Sequence, residues 1–455
     1  MKSKIFHIQS LQLLLSVVFL LSLSVASLYA QTAREEIKAN VNLAASNHLA
    51  YPGPKSVLTA APKDKAPFFI SHYGRHGSRY LCGDTEYSYS LGELEKANRY
   101  GKLTEYGKDV LRRVRIMSEE SDKRIGELTL LGAEQHKGIA KRMFERFPEI
   151  FAGKAKVDAR STVVIRCILS MENALHQLLS MNPQLQISHD ASHHDMVYMN
   201  HGKDWIEKYR LSKEAAGELQ KWTDEHCSSK RLMEKIFTDQ QYVSDSLESN
   251  NLYFALFKFA TILQGCESRR QIDMWDLFTE DEIYNNWERN NIMWYLGYAN
   301  SPQNGGLPPY VQRFLLRQII DDADAKIKEE KPGATLRYGH ETMVMPLTCL
   351  MELNDSAVQI SDINKITENW HNYDIFPMAA NIQIVFYRKD ISDQDILIKV
   401  LLNENEATLP VKTDCAPYYH WKDVRQYYLD KLAAFDAKMS QLQAEAAAKQ
   451  WGKFW

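Results

Sequence analysis

The chain lacks any strong imbalance of charge: 55 Lys and Arg residues face 58 Asp and Glu, a formal net charge of −3 over 455 residues. General nucleic-acid binding needs a basic footprint, so it is excluded, and any affinity for anions must be local. Glycine and proline are sparse, at 20 and 14 residues, and there is neither an internal repeat nor a low-complexity linker. A solenoid and a string of tethered modules are therefore excluded. With 45% hydrophobic residues, the chain can bury a substantial core as one large domain or two.

What the chain does have begins at the N-terminus. Lys2 and Lys4 precede an apolar run from Leu11 through Val25, then Ala26-Ser27-Leu28-Tyr29-Ala30 before Gln31. This is the pattern of an export signal over residues 1–30, cut after Ala30, with an uncleaved anchor as the alternative. The first cysteine is Cys82, so lipid attachment at the cut has no acceptor. The mature protein is expected to be periplasmic or secreted, with no stable membrane insertion after cleavage. Export makes Cys82, Cys167, Cys227, Cys266, Cys349 and Cys415 candidates for disulfides, in any of 15 connectivities, with buried free thiols as the alternative.

The richest stretch is His72-Tyr73-Gly74-Arg75-His76-Gly77-Ser78-Arg79-Tyr80, directly after the apolar Pro67-Phe68-Phe69-Ile70. An imidazole nitrogen can attack phosphorus, and Arg75 and Arg79 can offer forked donors to non-bridging oxygens. Gly77 is expected to leave room for a bulky anion to approach the backbone. Strand, loop and helix start in succession place this loop at the carboxyl end of a strand, where ligands bind in open α/β sheets.

Arg75-His76-Gly77-Ser78-Arg79-Tyr80 resembles the signature of the histidine acid phosphatase branch of the histidine phosphatase superfamily, which includes phytases and multiple inositol polyphosphate phosphatases. Leu81 stands where those two subgroups usually have proline. Two further segments follow in the family's order. Arg160-Ser161-Thr162-Val163-Val164-Ile165-Arg166 resembles the segment that delivers another phosphate-binding arginine, with Arg166 at the matching position and Arg160 a weaker candidate. Leu336-Arg337-Tyr338-Gly339-His340-Glu341-Thr342 is similar to the strand-end segment carrying a phosphate-binding histidine and an acid. Acid phosphatases have His-Asp there and inositol polyphosphate phosphatases His-Ala-Glu, so Glu341 combines the spacing of the first with the acid of the second.

The resemblance implies an α/β fold, a Rossmann-like core sheet flanked by helices with a mostly α-helical cap. It also implies hydrolysis of small-molecule phosphate monoesters, inositol polyphosphates such as phytate among them. His76 would form a covalent phosphohistidine. Arg75, Arg79, Arg166 and His340 would hold the phosphate, and Glu341, protonated in an acidic medium or a shielded site, would protonate the leaving group. No cofactor or metal is implied, because the arginines supply the positive charge. His193-His194-Asp195 has no further ligand run at metal-site spacing.

Along the chain, Thr32 to Ala50 reads as a helical lead-in, Leu91 to Phe151 as helix, and Lys156-Val157 and Val163-Val164-Ile165 as strand around Arg160. Residues 188–304, rich in Trp, Tyr, Asn and charge with Trp205, Trp222, Trp275, Trp287 and Trp294, would by that resemblance form the cap, its aromatics chiefly cap core. Residues 31–187 and 305–455 read as the phosphatase core. Pro309 to Lys328 is expected to be helical, Asn381–Arg388 and Ile396–Leu402 a hairpin, and Val424 to Lys449 an amphipathic helix. Lys203, Lys208 and Arg210 are the candidates for extra phosphate contacts, although a solvated helix face is the plainer reading. The competing function is an exported non-enzymatic glycan or nutrient binder, which the Trp and Tyr content would also suit. The oligomeric state is not legible.

Overall fold

A computed structural model describes residues 32–200 and 211–451. The export segment, Trp205, Lys203, Lys208 and Arg210 lie outside the described residues. Among the described residues no helix is long and apolar enough to cross a membrane.

The centre is a mixed sheet in the order β3-β2-β4-β1-β5-β6-β7, with β8 paired to β6. Its strands are β1 (Ala66–Arg75), β2 (Lys156–Ser161), β3 (Gln186–Asp190), β4 (Gly333–Gly339), β5 (Asn381–Arg388), β6 (Leu397–Leu402), β7 (Asn405–Ala407) and β8 (Tyr419–His420). β1 is buried from Pro67 to its end, and β4, β5 and β6 along their whole length. That is why Pro67-Phe68-Phe69-Ile70 reads as a continuous apolar run and not an alternating one. β1, β4, β2 and β3 run parallel, and β5 and β6 return antiparallel. The expected hairpin between β5 and β6 is present.

The parallel pairing of β1 with β4 decides where the site forms. Arg75 lies opposite Gly339, so the residues that follow each strand, His76 and His340, emerge side by side at the carboxyl ends of two interior strands. No spacing along the sequence carries that register.

The long crossover from β3 to β4 is helical, with Ser249–Leu263 and Glu280–Tyr298 among its longest elements. Many of its apolar side chains join Ala33, Ile37, Tyr87, Leu94, Val110 and Leu111 in one buried cluster. Trp222, Trp287 and Trp294 are buried, Trp287 within that cluster and Trp222 and Trp294 in one shared with residues of β1, β5 and β6. The C-terminal helix runs Trp421–Trp451. All six cysteines are free.

One local expectation fails. Val163-Val164-Ile165 is not strand: β2 ends at Ser161 and a helix begins at Ile165 and runs to Met181. The Thr162 N–H donates to the Tyr338 carbonyl at 3.0 Å, the last tie to the sheet before the chain turns out of it. Ile165 is 68% exposed, so its β-branched side chain contributes nothing to a core.

Candidate active site

The loop that carries His76 is fixed by its main chain. The Arg75 N–H donates to Ala380 O at 2.8 Å and the His76 N–H to Gly339 O at 2.9 Å, tying the loop to both neighbouring strands. Gly77 and Ser78 then donate to Ser170 Oγ and Gln135 Oε1. Gly77 is glycine for a reason other than anion access. A Cβ there would meet the Gly132 carbonyl oxygen at 2.3 Å, and a Cβ on Gly132 would meet Ser78 O at 2.3 Å. The two glycines let the loop lie directly on the first turn of the Leu130–Arg146 helix, so the expectation of an open approach for anions is corrected.

The His76 ring is oriented by its own loop. Nδ1 lies 2.9 Å from the Gly77 carbonyl, a contact that requires a proton on Nδ1 and leaves the Nε2 lone pair free. Burial pulls this imidazole well below its ordinary range. Glu341 opposes that shift, and Arg75 and Arg166 add to it. The neutral ring is the nucleophilic form. Nε2 faces Glu341 Oε2 at 3.4 Å.

Three cations surround that carboxylate and the histidine. Arg75 is fully buried. Its Nη1 donates to Asn47 O at 2.6 Å and Phe376 O at 2.9 Å, while Nε sits 3.2 Å from Glu341 Oε2. Burial lowers its guanidinium to about 10, so it stays charged at neutral pH. Arg79 Nη2 lies 3.6 Å from Glu341 Oε1. Arg166, in the first turn of the Ile165–Met181 helix, makes one long bond, Nη1 to Gly126 O at 3.4 Å. Its charge acts on His76, Arg75 and His340 alike. Arg160 does not join them: it pairs with Asp158 at 2.8 Å and Asp195 at 3.6 Å.

His340 occupies the N-cap position of the Glu341–Leu350 helix, so the site faces the positive end of a helix as well as the arginines. Its ring stands 5.7 Å from His76 at 80°. Burial lowers it to about 4, with Glu341 opposing and the three arginines assisting. Cys167 packs beneath, its Sγ 3.3 Å from Gly339 O and 3.7 Å from His340 Nε2. Burial pushes its thiol up to about 12, which makes it inert packing, as its sequence context suggests.

Burial alone would raise the Glu341 carboxyl, but Arg75, His76 and Arg79 together hold it well below the usual carboxylate range. It is therefore ionised in the free site, whereas the sequence suggested a protonated acid. Negative charge brought by a phosphate would compete for the same arginines and restore its affinity for a proton.

The most telling feature is unfinished hydrogen bonding. His76 Nε2, Arg75 Nε and Nη2, Arg79 Nε, Arg166 Nε and Glu341 Oε2 are all buried and make no hydrogen bond. Each costs free energy when left unmatched, about 1–3 kcal/mol and more for charged groups. Several such atoms around one point form a preorganised anion cradle.

Sequence reasoning missed the adjoining cavity. About 260 Å³ in volume, it is lined by Arg79 together with His48, Lys258 and Arg289. His48 bonds through Nδ1 to Thr261 Oγ1 at 2.9 Å. Lys258 reaches Glu86 at 2.9 Å. Arg289 bonds Thr223 Oγ1 at 3.2 Å and covers the Phe254 ring, and among the described residues no carboxylate pairs with it. Lys258 had a signal, a lone charge inside the apolar helix Ser249–Leu263.

The sequence profile of the histidine phosphatase superfamily (branch 2) matches residues 74–403. Multiple inositol polyphosphate phosphatase 1 of Gallus gallus is 21% identical over 403 residues, spanning 84% of this chain and 85% of its own. Among solved structures, the multiple inositol polyphosphate phosphatase of Bifidobacterium longum in complex with inositol hexasulfate is similar at TM-score 0.67 and 17% identity. The match covers 84% of this chain and 96% of that one. The phytase from D. castellii is similar at TM-score 0.63 and 13% identity, over 86% and 85% of the two chains.

Proposed function

As the chain belongs to branch 2 of the histidine phosphatase superfamily and is a phosphatase, we propose that it hydrolyses phosphate monoesters through a phosphohistidine on His76. The carrying observation is the ring of buried, unmatched donors around His76 Nε2. Arg75, Arg79, Arg166 and His340 hold the non-bridging oxygens, and Nε2 attacks phosphorus in line as the ester P–O bond breaks. The Nδ1–H bond to Gly77 O stabilises the charge the ring acquires. Glu341, reprotonated once phosphate shares its arginines, gives its proton to the departing alkoxide. As carboxylate it then takes a proton from the water that attacks the phosphohistidine, releasing inorganic phosphate and restoring His76.

For substrate, we infer an inositol polyphosphate. The cavity carrying Lys258, Arg289 and His48 opens beside Arg79, where further phosphates of a polyphosphorylated ring would lie while one phosphate occupies the cradle. The similarity to two inositol polyphosphate phosphatases and a phytase supports this reading. We read residues 1–30 as an export signal on their sequence pattern, which makes the enzyme periplasmic or secreted.

The deciding experiment is phosphate release from an aryl phosphate and from phytate, with and without His76→Ala, together with acid-quench trapping of labelled phosphate. The variant should stay folded and lose nearly all turnover. Label recovered on any residue other than His76 overturns the assignment. Lys258→Ala and Arg289→Ala should raise KM for phytate and leave aryl phosphate unaffected; equal effects on both would remove the cavity from substrate binding. N-terminal sequencing of the exported protein should begin at Gln31.

A further inference from the structure

β1 runs from Ala66 to the catalytic edge at Arg75, and at the Ala66 end of the same sheet a second set of chemically active side chains converges. Asp414, Cys415 and His420 present a carboxylate oxygen, Sγ and a ring nitrogen that all lie within 4.8 Å of one another. The main chain holds His420 firmly: β8 pairs with β6 through Leu397–His420 and Ile398–Tyr419, and the Trp421 N–H donates to Ile396 O at 2.9 Å. His420 Nδ1 is 2.5 Å from Asp395 Oδ1. Its Nε2 points the other way, 3.0 Å from Asp414 Oδ1 and 4.0 Å from Cys415 Sγ.

We propose that Asp414, Cys415 and His420 form a binding site for a transition-metal dication of the zinc class, with the fourth position open to water. A metal-bound histidine characteristically donates its second ring N–H to a carboxylate, which fixes the tautomer and aims the lone pair at the ion. Asp395 stands in that place behind His420. Tetrahedral zinc, with Zn–N and Zn–O near 2.1 Å and Zn–S near 2.3 Å, sets its ligand atoms about 3.4 Å apart for N and O and about 3.6 Å for N and S. The observed 3.0 and 4.0 Å bracket those values, so small side-chain rotations close the site. The mixed thiolate, imidazole and carboxylate set favours a borderline ion over calcium or magnesium. Asp414 is 86% exposed, which gives an ion a route in, and Cys415 is a free thiol.

Binding would deprotonate Cys415 and release its proton to solvent. The ion would clasp the segment before β8 to the start of the Trp421–Trp451 helix. Its role is structural and separate from hydrolysis. The rival arrangement is a protonated His420 held between Asp395 and Asp414 with Cys415 incidental, and it binds no metal.

The test uses the full chain after dialysis against chelator, titrated with zinc alone and with cobalt. One zinc per chain should bind, and cobalt should produce a thiolate-to-metal charge-transfer absorption. Both should vanish in Cys415→Ser and His420→Gln and survive in Cys82→Ser, which controls for the exposed thiol. Asp395→Asn should weaken binding about 10- to 100-fold. Zinc should raise Tm in the unmutated chain and not in Cys415→Ser, with aryl phosphate hydrolysis alike in both. Absence of bound zinc, absence of the thiolate absorption, or zinc retained by Cys415→Ser overturns the proposal. Should Cys415→Ser fail to fold, the cobalt spectrum of the unmutated chain decides alone.

Discussion

Glu341 and Glu404 are both buried carboxylates flanked by arginines at the same end of the sheet, and their surroundings differ in kind. Glu404, just beyond β6, accepts from Arg142 Nε and Nη2 at 2.9 and 2.6 Å, from Arg146 at 3.4 Å and from Tyr51 at 2.9 Å. Glu341 has Arg75, His76 and Arg79 within 3.2 to 3.6 Å, yet its Oε2 and the nitrogens facing it form no hydrogen bond. A saturated ion cluster is a structural clasp. An unsaturated one keeps its donors oriented for something else, at a cost in stability that the rest of the fold carries.

The sharpest test of that contrast exchanges each acid for its amide. Glu341→Gln should slow release of poor leaving groups such as inositol about 10²- to 10⁴-fold. An aryl phosphate, whose phenolate scarcely needs protonation, should suffer far less. Tm should fall, but less than in Glu404→Gln: Arg75 and Arg79 stabilise the Glu341 charge, while its Oε2 has no hydrogen bond to lose. A penalty independent of leaving-group basicity would take Glu341 out of the proton-donor role and leave it orienting His340. Glu404→Gln should do the reverse, destabilising the fold by about 3 kcal/mol with near-normal turnover per folded molecule. That is the low end for a broken buried pair, because Arg142 and Arg146 retain contact with water. Urea unfolding and kcat measured on the same preparations separate the two outcomes.

Removing a cradle donor should cost about 3 kcal/mol of transition-state stabilisation for Arg166→Ala. The rise in Tm that inorganic phosphate gives the unmutated enzyme should shrink with it. Arg160→Ala should leave both unchanged; a reversal between the two arginines would misplace the site along this segment.

The smallest effect is one of pH. Burial holds His340 at about 4, and His72 and His136 at about 3, against an ordinary 6.5. On acidification the unfolded chain takes up these protons first. This stability is therefore complete above about pH 6.5 and lost as pH falls toward 4 and then 3, by about 2–3 kcal/mol for His340. Glu341, held low in the fold, loses its contribution in the same direction below the ordinary carboxylate range. Unfolding free energies between pH 7 and pH 4 should fall more gently in His340→Asn.

Much of this was legible without coordinates. The order of the three motifs, the apolar run of β1, the strand at β4, the hairpin and the helical middle all follow from local patterns of residues, whereas the burial of β5 on both faces does not, since its sequence alternates. Arg166 was separable from Arg160 by its match to the family segment, although not as a helix residue. Gly77 was noticed for the wrong reason, since its partner Gly132 lies on another element. Lys258 stood out only as a lone charge in an apolar helix, and Arg289 carried no signal, because one cation on a helix looks like any other until a cavity is seen beside it. Glu404, at a left-handed φ of 64° in a short turn, gave none.

The sequence by itself determined the chemistry available: a histidine between arginines, a second histidine followed by an acid, and strands hydrophobic enough to be buried on both faces. These are properties of residues and their near neighbours, which short-range sterics and burial enforce. Only the tertiary structure decided that β1 and β4 lie parallel with Arg75 opposite Gly339, and hence that His76 meets Glu341 at 3.4 Å. It also decided which carboxylate is saturated, which donors remain free, and that Asp395 stands behind His420. Those outcomes depend on long-range register and on the competition among many groups for the same hydrogen bonds, which no local pattern encodes.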